Sequence, residues 1–154
     1  MSQFYNIHPS DMAQVEKSVL VPHSAERMFR LVDDVERYSE FLPWCGGVDL
    51  KWRDDESTVA TLHIAYHGLK QNFTTENSKT FPTMMGIKLV EGPFRHLEGI
   101  WSFIPLAEDA CKIEFKLHYE FSTHLLEKII APVFGHIANT FVDAFVERAE
   151  RIYQ

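Results

Sequence analysis

HLLEKIIAPVFGHIANTFVDAFVERAERIYQ, residues 124–154, is the stretch from which the rest of the chain is read. Its apolar side chains Leu126, Ile130, Val133, Phe134, Ile137, Phe141, Phe145 and Ile152 recur at the three-and-four spacing that lines one face of an α-helix. The other face carries Asp143, Glu147, Arg148, Glu150 and Arg151, with Glu147 one turn before Arg151, the favourable order for a helical ion pair. From Val133 onward such a helix would run about 30 Å at about 1.5 Å per residue. Its apolar face needs a wide receiver, and a curved sheet made by most of the remaining chain is expected. Pro132 and Gly135 interrupt the first turns, which predicts a short lead-in helix over 124–131 and then a kink or restart.

Immediately upstream lies the clearest strand. Cys111, Ile113, Phe115, Leu117, Tyr119 and Phe121 share one face, against Lys112, Glu114, Lys116, His118 and Glu120 on the other, the pattern of a sheet with one buried and one wet side. Further upstream, 94–104, 84–90, 69–79, 58–67 and 48–52 read as strands separated by short turns, so they should be antiparallel neighbours. Residues 105–110 form an acidic exit loop. Ala13 to Val21 alternates as a first strand, and Ser24 then caps a short helix through Met28, Phe29, Leu31 and Val32. Asp33 or Asp34 caps a second helix that Pro43 stops. The fold class is therefore α+β: a seven-stranded antiparallel sheet curved around a long C-terminal helix, with two short helices after the first strand.

The 154 residues suit a single domain over 12–154, and residues 1–11, which lack periodicity, read as a flexible N-terminal extension. Fifteen basic against twenty-two acidic residues give a net charge of −7 with no basic run, which disfavours generic binding to DNA or RNA. Cys45 and Cys111 have no metal spacing and read as free thiols of a cytoplasmic protein. No uninterrupted apolar run is long enough to span a bilayer. Met84, Met85 and the Phe94 loop are the segments placed to touch one.

Catalytic signatures are missing: there is no Gly-rich phosphate loop, nucleophile elbow, HExxH or zinc-spaced cysteine pair. His63 and His67 would stand about 13 Å apart on a strand, too far for one metal. Alternation sends Arg95 to the face opposite His96 and Glu98. No metal, cofactor or catalytic residue is expected. The sequence does supply large apolar groups that should converge between sheet and helix: Leu62, Tyr66, Phe73, Leu97, Trp101, Phe103, Phe115, Leu117, Tyr119, Ile137 and Phe141, with Phe41 and Trp44 at the entrance. Periodicity alone leaves open whether they fill a solid core or line a hydrophobic cavity. The segment 38–47, with three aromatics on a loop, reads either as a plug on the core or as a lid over a pocket.

The run Met12-Ala-Gln-Val-Glu-Lys-Ser-Val-Leu-Val-Pro, then Ser24-Ala-Glu, Tyr38-Ser-Glu-Phe-Leu-Pro-Trp-Cys, Gly92-Pro-Phe-Arg-His-Leu-Glu-Gly-Ile-Trp-Ser-Phe103 and Phe141-Val-Asp-Ala-Phe-Val-Glu-Arg-Ala149 resemble the coenzyme Q-binding family of the START-like (polyketide cyclase/dehydrase and lipid transport, Bet v 1-like) superfamily. Its bacterial members are called ribosome association toxin RatA. The resemblance implies a helix-grip fold with a hydrophobic cavity, and a START-like lipid-binding domain over 12–154. It places Phe41, Leu42 and Trp44 in the loop beside the cavity, and Leu97, Trp101 and Phe103 in the strand of the second motif. It implies non-enzymatic binding or chaperoning of ubiquinone or a related polyprenyl lipid in support of respiratory electron transport. The alternatives are a toxin of a toxin–antitoxin pair that blocks 70S subunit association through the large ribosomal subunit, and a polyketide cyclase-like enzyme. The expected partners are thus a hydrophobic small molecule such as ubiquinone, a transient contact at the inner membrane and the large ribosomal subunit, but not DNA.

Overall fold

A computed structural model describes residues 12–153; the proposed extension 1–11 lies outside the described residues. The elements follow in the order β1 (Ala13–Val21), α1 (Ala25–Asp33), a 3₁₀ turn (Val35–Glu40), β2 (Cys45–Arg53), β3 (Ser57–Tyr66), β4 (Leu69–Thr80), β5 (Met84–Glu91), β6 (Phe94–Ala107), β7 (Ala110–Phe121) and α2 (His124–Ile152). The seven strands form one antiparallel sheet in the order β1-β7-β6-β5-β4-β3-β2. Six strands meander, and β1 closes onto β7 with Val15 opposite Leu117 and Val19 opposite Ile113. The β3–β4 hairpin turns on His67 and Gly68, at φ 50° and 82°, which is the positive-φ pair that a two-residue turn between twisted strands requires. Gly99 serves another end: a Cβ there would sit 2.8 Å from the Lys116 carbonyl oxygen, so β6 can approach β7 only without a side chain.

Ser24 caps α1 by accepting from the Arg27 backbone N–H at 3.1 Å, as its position suggested. The second helix is shorter than expected and has no side-chain cap. The Asp33 carboxylate is drawn away to Lys79 Nζ at 3.3 Å and to the Thr58 hydroxyl at 3.2 Å, a pairing across sheet and helix that no local pattern shows. Arg53 clamps the 3₁₀ turn to β2 by donating to both Glu36 oxygens at 2.8 Å, and this pair holds the Glu36 carboxyl below the usual carboxylate range. Where an exit loop was expected, β6 runs on to Ala107, pairing Pro105 with Cys111 across a register shift.

The long helix departs from expectation in three ways. It is continuous over 29 residues, about 43 Å at about 1.5 Å per residue, through Pro132 and Gly135. Pro132 removes one hydrogen bond, but it lies on the exposed side, while Ile130 before it and Phe134 after it are both buried against the sheet. Packing on both sides of the proline holds the two halves in line. The buried stripe is Ile130, Phe134, Ile137, Ala138, Val142, Phe145 and Ala149, whereas Ile152 is exposed because the last turn runs past the sheet. By length and composition α2 could also cross a membrane, a property that counting uninterrupted apolar residues overlooks; in this fold its apolar stripe packs on strands. Met85 and Phe94, expected at a bilayer-facing surface, are buried; only Met84 is exposed.

Candidate functional site

Between sheet and helix the aromatic side chains gather in two clusters. In one, Trp101 lies 4.7 Å from Phe115, 5.7 Å from Phe141 and 5.4 Å from Phe145 between ring centroids, with Tyr38 5.2 Å from Phe145. In the other, Phe134 meets Phe94 at 4.9 Å and Tyr119 at 4.8 Å, with Phe73 5.9 Å away. The gap between the clusters is bordered by the small side chains Ala60 of β3 and Ala138 of α2. A ring cannot bridge from either position, and a void remains. The space open to the centres of water-sized spheres is about 70 Å³, roughly five waters at about 10–15 Å³ each.

Nine of the residues singled out from sequence border this void: Trp44, Leu62, Phe73, Leu97, Trp101, Phe115, Leu117, Ile137 and Phe141. Five do not. Phe103 is fully buried behind Trp101, stacked on it at 5.7 Å, and belongs to the packed core under α1. Tyr119 is buried in the second aromatic cluster. Phe41, Leu42 and Tyr66 face a shallow groove at the rim, where Tyr66 stacks parallel to His136 at 5.9 Å and the Arg148 guanidinium lies 5.0 Å over the Phe41 ring. In the segment 38–47, Tyr38 and Leu42 are buried as a plug on the core, while Trp44 lines one wall of the void.

Sequence reasoning missed Val35, Tyr38, Ala60, Thr75, Asn77, Ile87, Phe134 and Ala138. Alanines were passed over because only large side chains were counted. The signal was there in α2, where Ala138 stands between Phe134 and Phe141 on the same inner stripe. Thr75 and Asn77 were passed over because β4 reads as polar. They alternate inward with Phe73, and the Thr75 hydroxyl donates to Asn77 Oδ1 at 3.2 Å.

Apart from indole N–H groups, the polar lining side chains among the described residues are Tyr38, Thr75 and Asn77. The Tyr38 hydroxyl donates to the Val32 carbonyl at 2.5 Å, and burial pushes its ionisation far above the ordinary phenol range. It is therefore a fixed strut that offers no proton near neutrality. Cys45, next to Trp44 in the chain, is buried with its thiol pushed up by the same desolvation, which makes it inert as a nucleophile. Such a lining can hold an apolar body and hydrogen-bond one polar group through Thr75 or Asn77; it carries no acid–base pair.

Residues 21–146 match the family model "Polyketide cyclase / dehydrase and lipid transport". A ribosome association toxin RatA of Vibrio cholerae is 42% identical over 142 residues, covering 92% of this chain and 99% of that one. A mitochondrial coenzyme Q-binding protein homologue of Xenopus laevis is 27% identical over 148 residues, covering 94% of this chain and 61% of that one. Among solved structures, the ZhuI aromatase/cyclase of Streptomyces sp. R1128 superposes with a TM-score of 0.76 at 18% identity, covering 93% of this chain and 96% of that one, a likeness of fold.

Proposed function

We propose, for a chain that belongs to the polyketide cyclase/dehydrase and lipid transport family and to the branch of it that includes the RatA relatives, that the void receives a hydrophobic ligand of the quinone or polyprenyl class without transforming it. The observation that carries this reading is the apolar gap between two aromatic clusters, with Thr75 and Asn77 as its polar anchors. At about 70 Å³ the space is about half of the roughly 150 Å³ that a cavity holding a six-membered ring occupies, so even a head group requires the lining to yield. A polyprenyl tail requires more, so its entry requires Trp44 and Phe141, whose rings stand 6.2 Å apart, to separate toward the rim groove. The test is organic extraction and mass spectrometry of protein purified gently from its own host, beside an Ala138→Phe variant that plugs the void. A stoichiometric quinone or polyprenyl species present in the wild type and absent from the folded variant supports the reading. An empty extract, repeated after incubation with added quinone, refutes it.

A second reading is favoured by the 42% identity to a relative bearing the ribosome association name. In it, this protein acts in the cytoplasm on the large ribosomal subunit and hinders 70S formation. The net charge of −7 argues that the contact is a shaped one, not a broad electrostatic embrace of rRNA. Sucrose gradients of cells overproducing the protein check it: comigration with large subunits and a reduced 70S peak are expected, and neither would appear if the reading were wrong. A transient membrane contact for ligand exchange fits the exposed Leu125 and Ile129 at the start of α2.

A further inference from the structure

The convex face of the sheet holds a constellation unconnected with the void. His96 and Glu98 lie two apart on β6 and share a face. Glu98 pairs directly across the ladder with His118 of β7, and His96 pairs with Glu120 one step along. His96 Nε2 and His118 Nδ1 stand 3.0 Å apart, their rings stacked at 4.9 Å. With a Glu98 carboxylate oxygen, all three donor atoms lie within 4.8 Å of one another. Sequence alternation joined His96 to Glu98 but had no means of adding His118, twenty residues away, because strand register decides that.

We propose that His96, Glu98 and His118 form a divalent metal site suited to zinc. Two nitrogens bound to one tetrahedral zinc at about 2.0–2.1 Å stand about 3.3 Å apart. The observed 3.0 Å is within a few tenths of that bite. Two imidazoles and a carboxylate form the nitrogen-rich set that selects zinc, nickel or copper over magnesium or calcium. Both histidines sit on adjacent inner strands of the sheet, so the pair is preorganised by the ladder, and the exposed Glu98 can swing onto the ion at little cost. Three protein ligands leave a fourth position open to solvent. Lys88, which pairs with Glu98 from β5, and Lys116, two residues before His118, border the adjoining depression. Their charges oppose the cation and Glu98 offsets them in part, the Glu120 carboxylate being already engaged by Arg95 at 3.4 Å. The same lysines favour an anion or hydroxide in the open position.

The test titrates the full chain with Zn²⁺ in competition with a chromophoric chelator, and repeats the titration with Co²⁺ as a spectroscopic probe. One ion per chain is expected, with tetrahedral Co²⁺ absorption bands. His96→Gln and His118→Gln should each weaken binding at least about tenfold and abolish the bands, while Cys45→Ser leaves both unchanged. These side chains are half-buried on the outer face, and circular dichroism of each variant establishes that the fold is intact. Binding of much less than one equivalent to the wild type, or unchanged affinity in the His96→Gln/His118→Gln double variant, would overturn the proposal and leave an ordinary histidine–histidine hydrogen bond.

Discussion

Replacing Ala60 by Val tests by its sign whether the centre of this protein is hollow. Ala60 is 3% exposed on β3, between Leu50 and Thr75 in the ladder, and its side chain borders the void. Two added methyl groups would enter space now open to roughly five waters. At about 0.8 kcal/mol per buried methylene-sized group the gain is at most about 1.6 kcal/mol, and a β-branched side chain also suits a strand. For a domain of this size that is a rise in Tm of about 3–6 °C. In a core already filled, the same methyls would force neighbours off their rotamers and cost about 1–3 kcal/mol. Urea denaturation separates the cases: the midpoint should rise with the slope unchanged. A midpoint that falls by the overpacking amount refutes the hollow core, and with it the ligand reading built on it.

Removing the Arg53 guanidinium by Arg53→Ala should cost about 0.5–1 kcal/mol at neutral pH, since the pair with Glu36 is partly exposed. The Glu36 carboxyl is held below its ordinary value, so its contribution is fully present above about pH 4.3 and is lost as the pH falls through the lowered folded value. The gap between the urea midpoints of wild type and variant should narrow as the pH is taken down through the lowered Glu36 value, and a constant gap would show that the pair is not the cause. Lys79→Ala should cost about 1–3 kcal/mol, because Lys79 is only 5% exposed and its loss leaves the Asp33 carboxylate without a cation; thermal melts check this. Pro132→Ala restores a missing helical N–H on the exposed face of α2 and should stabilise by up to about 2 kcal/mol, the relief of helix strain less the lost rigidity of the unfolded chain. Destabilisation would instead mean that the proline's restriction of the unfolded chain outweighs the strain it puts on the helix.

The alternation of 111–121 and the three-and-four stripe of 124–154 already announced a half-buried sheet and the helix laid on it, because side-chain periods of 2 and 3.6 follow directly from backbone geometry. The order of the six meandering strands followed from short connections, which force neighbours to pair, whereas the closure of β1 onto β7, almost a hundred residues away, did not. Local periodicity did not reveal the Asp33–Lys79 pair, the burial of Met85 or the exposure of Ile152, since each depends on what a distant element brings opposite. Pro132 misled for the same reason: a local rule for breaking helices gave way to burial on both sides of the break.

The sequence by itself therefore determined the strands and helices in outline, their order along the chain, the inner faces of β7 and most of α2, and the family resemblance, all properties of short stretches and their spacing. Tertiary structure alone decided that the aromatics divide into two clusters around Ala60 and Ala138, and that His118 arrives beside His96 and Glu98. A void is the difference between the volume the backbone encloses and the volume its side chains fill, and a ligand cluster is a coincidence of register between strands. Both quantities exist only once elements far apart in the chain have been set against one another.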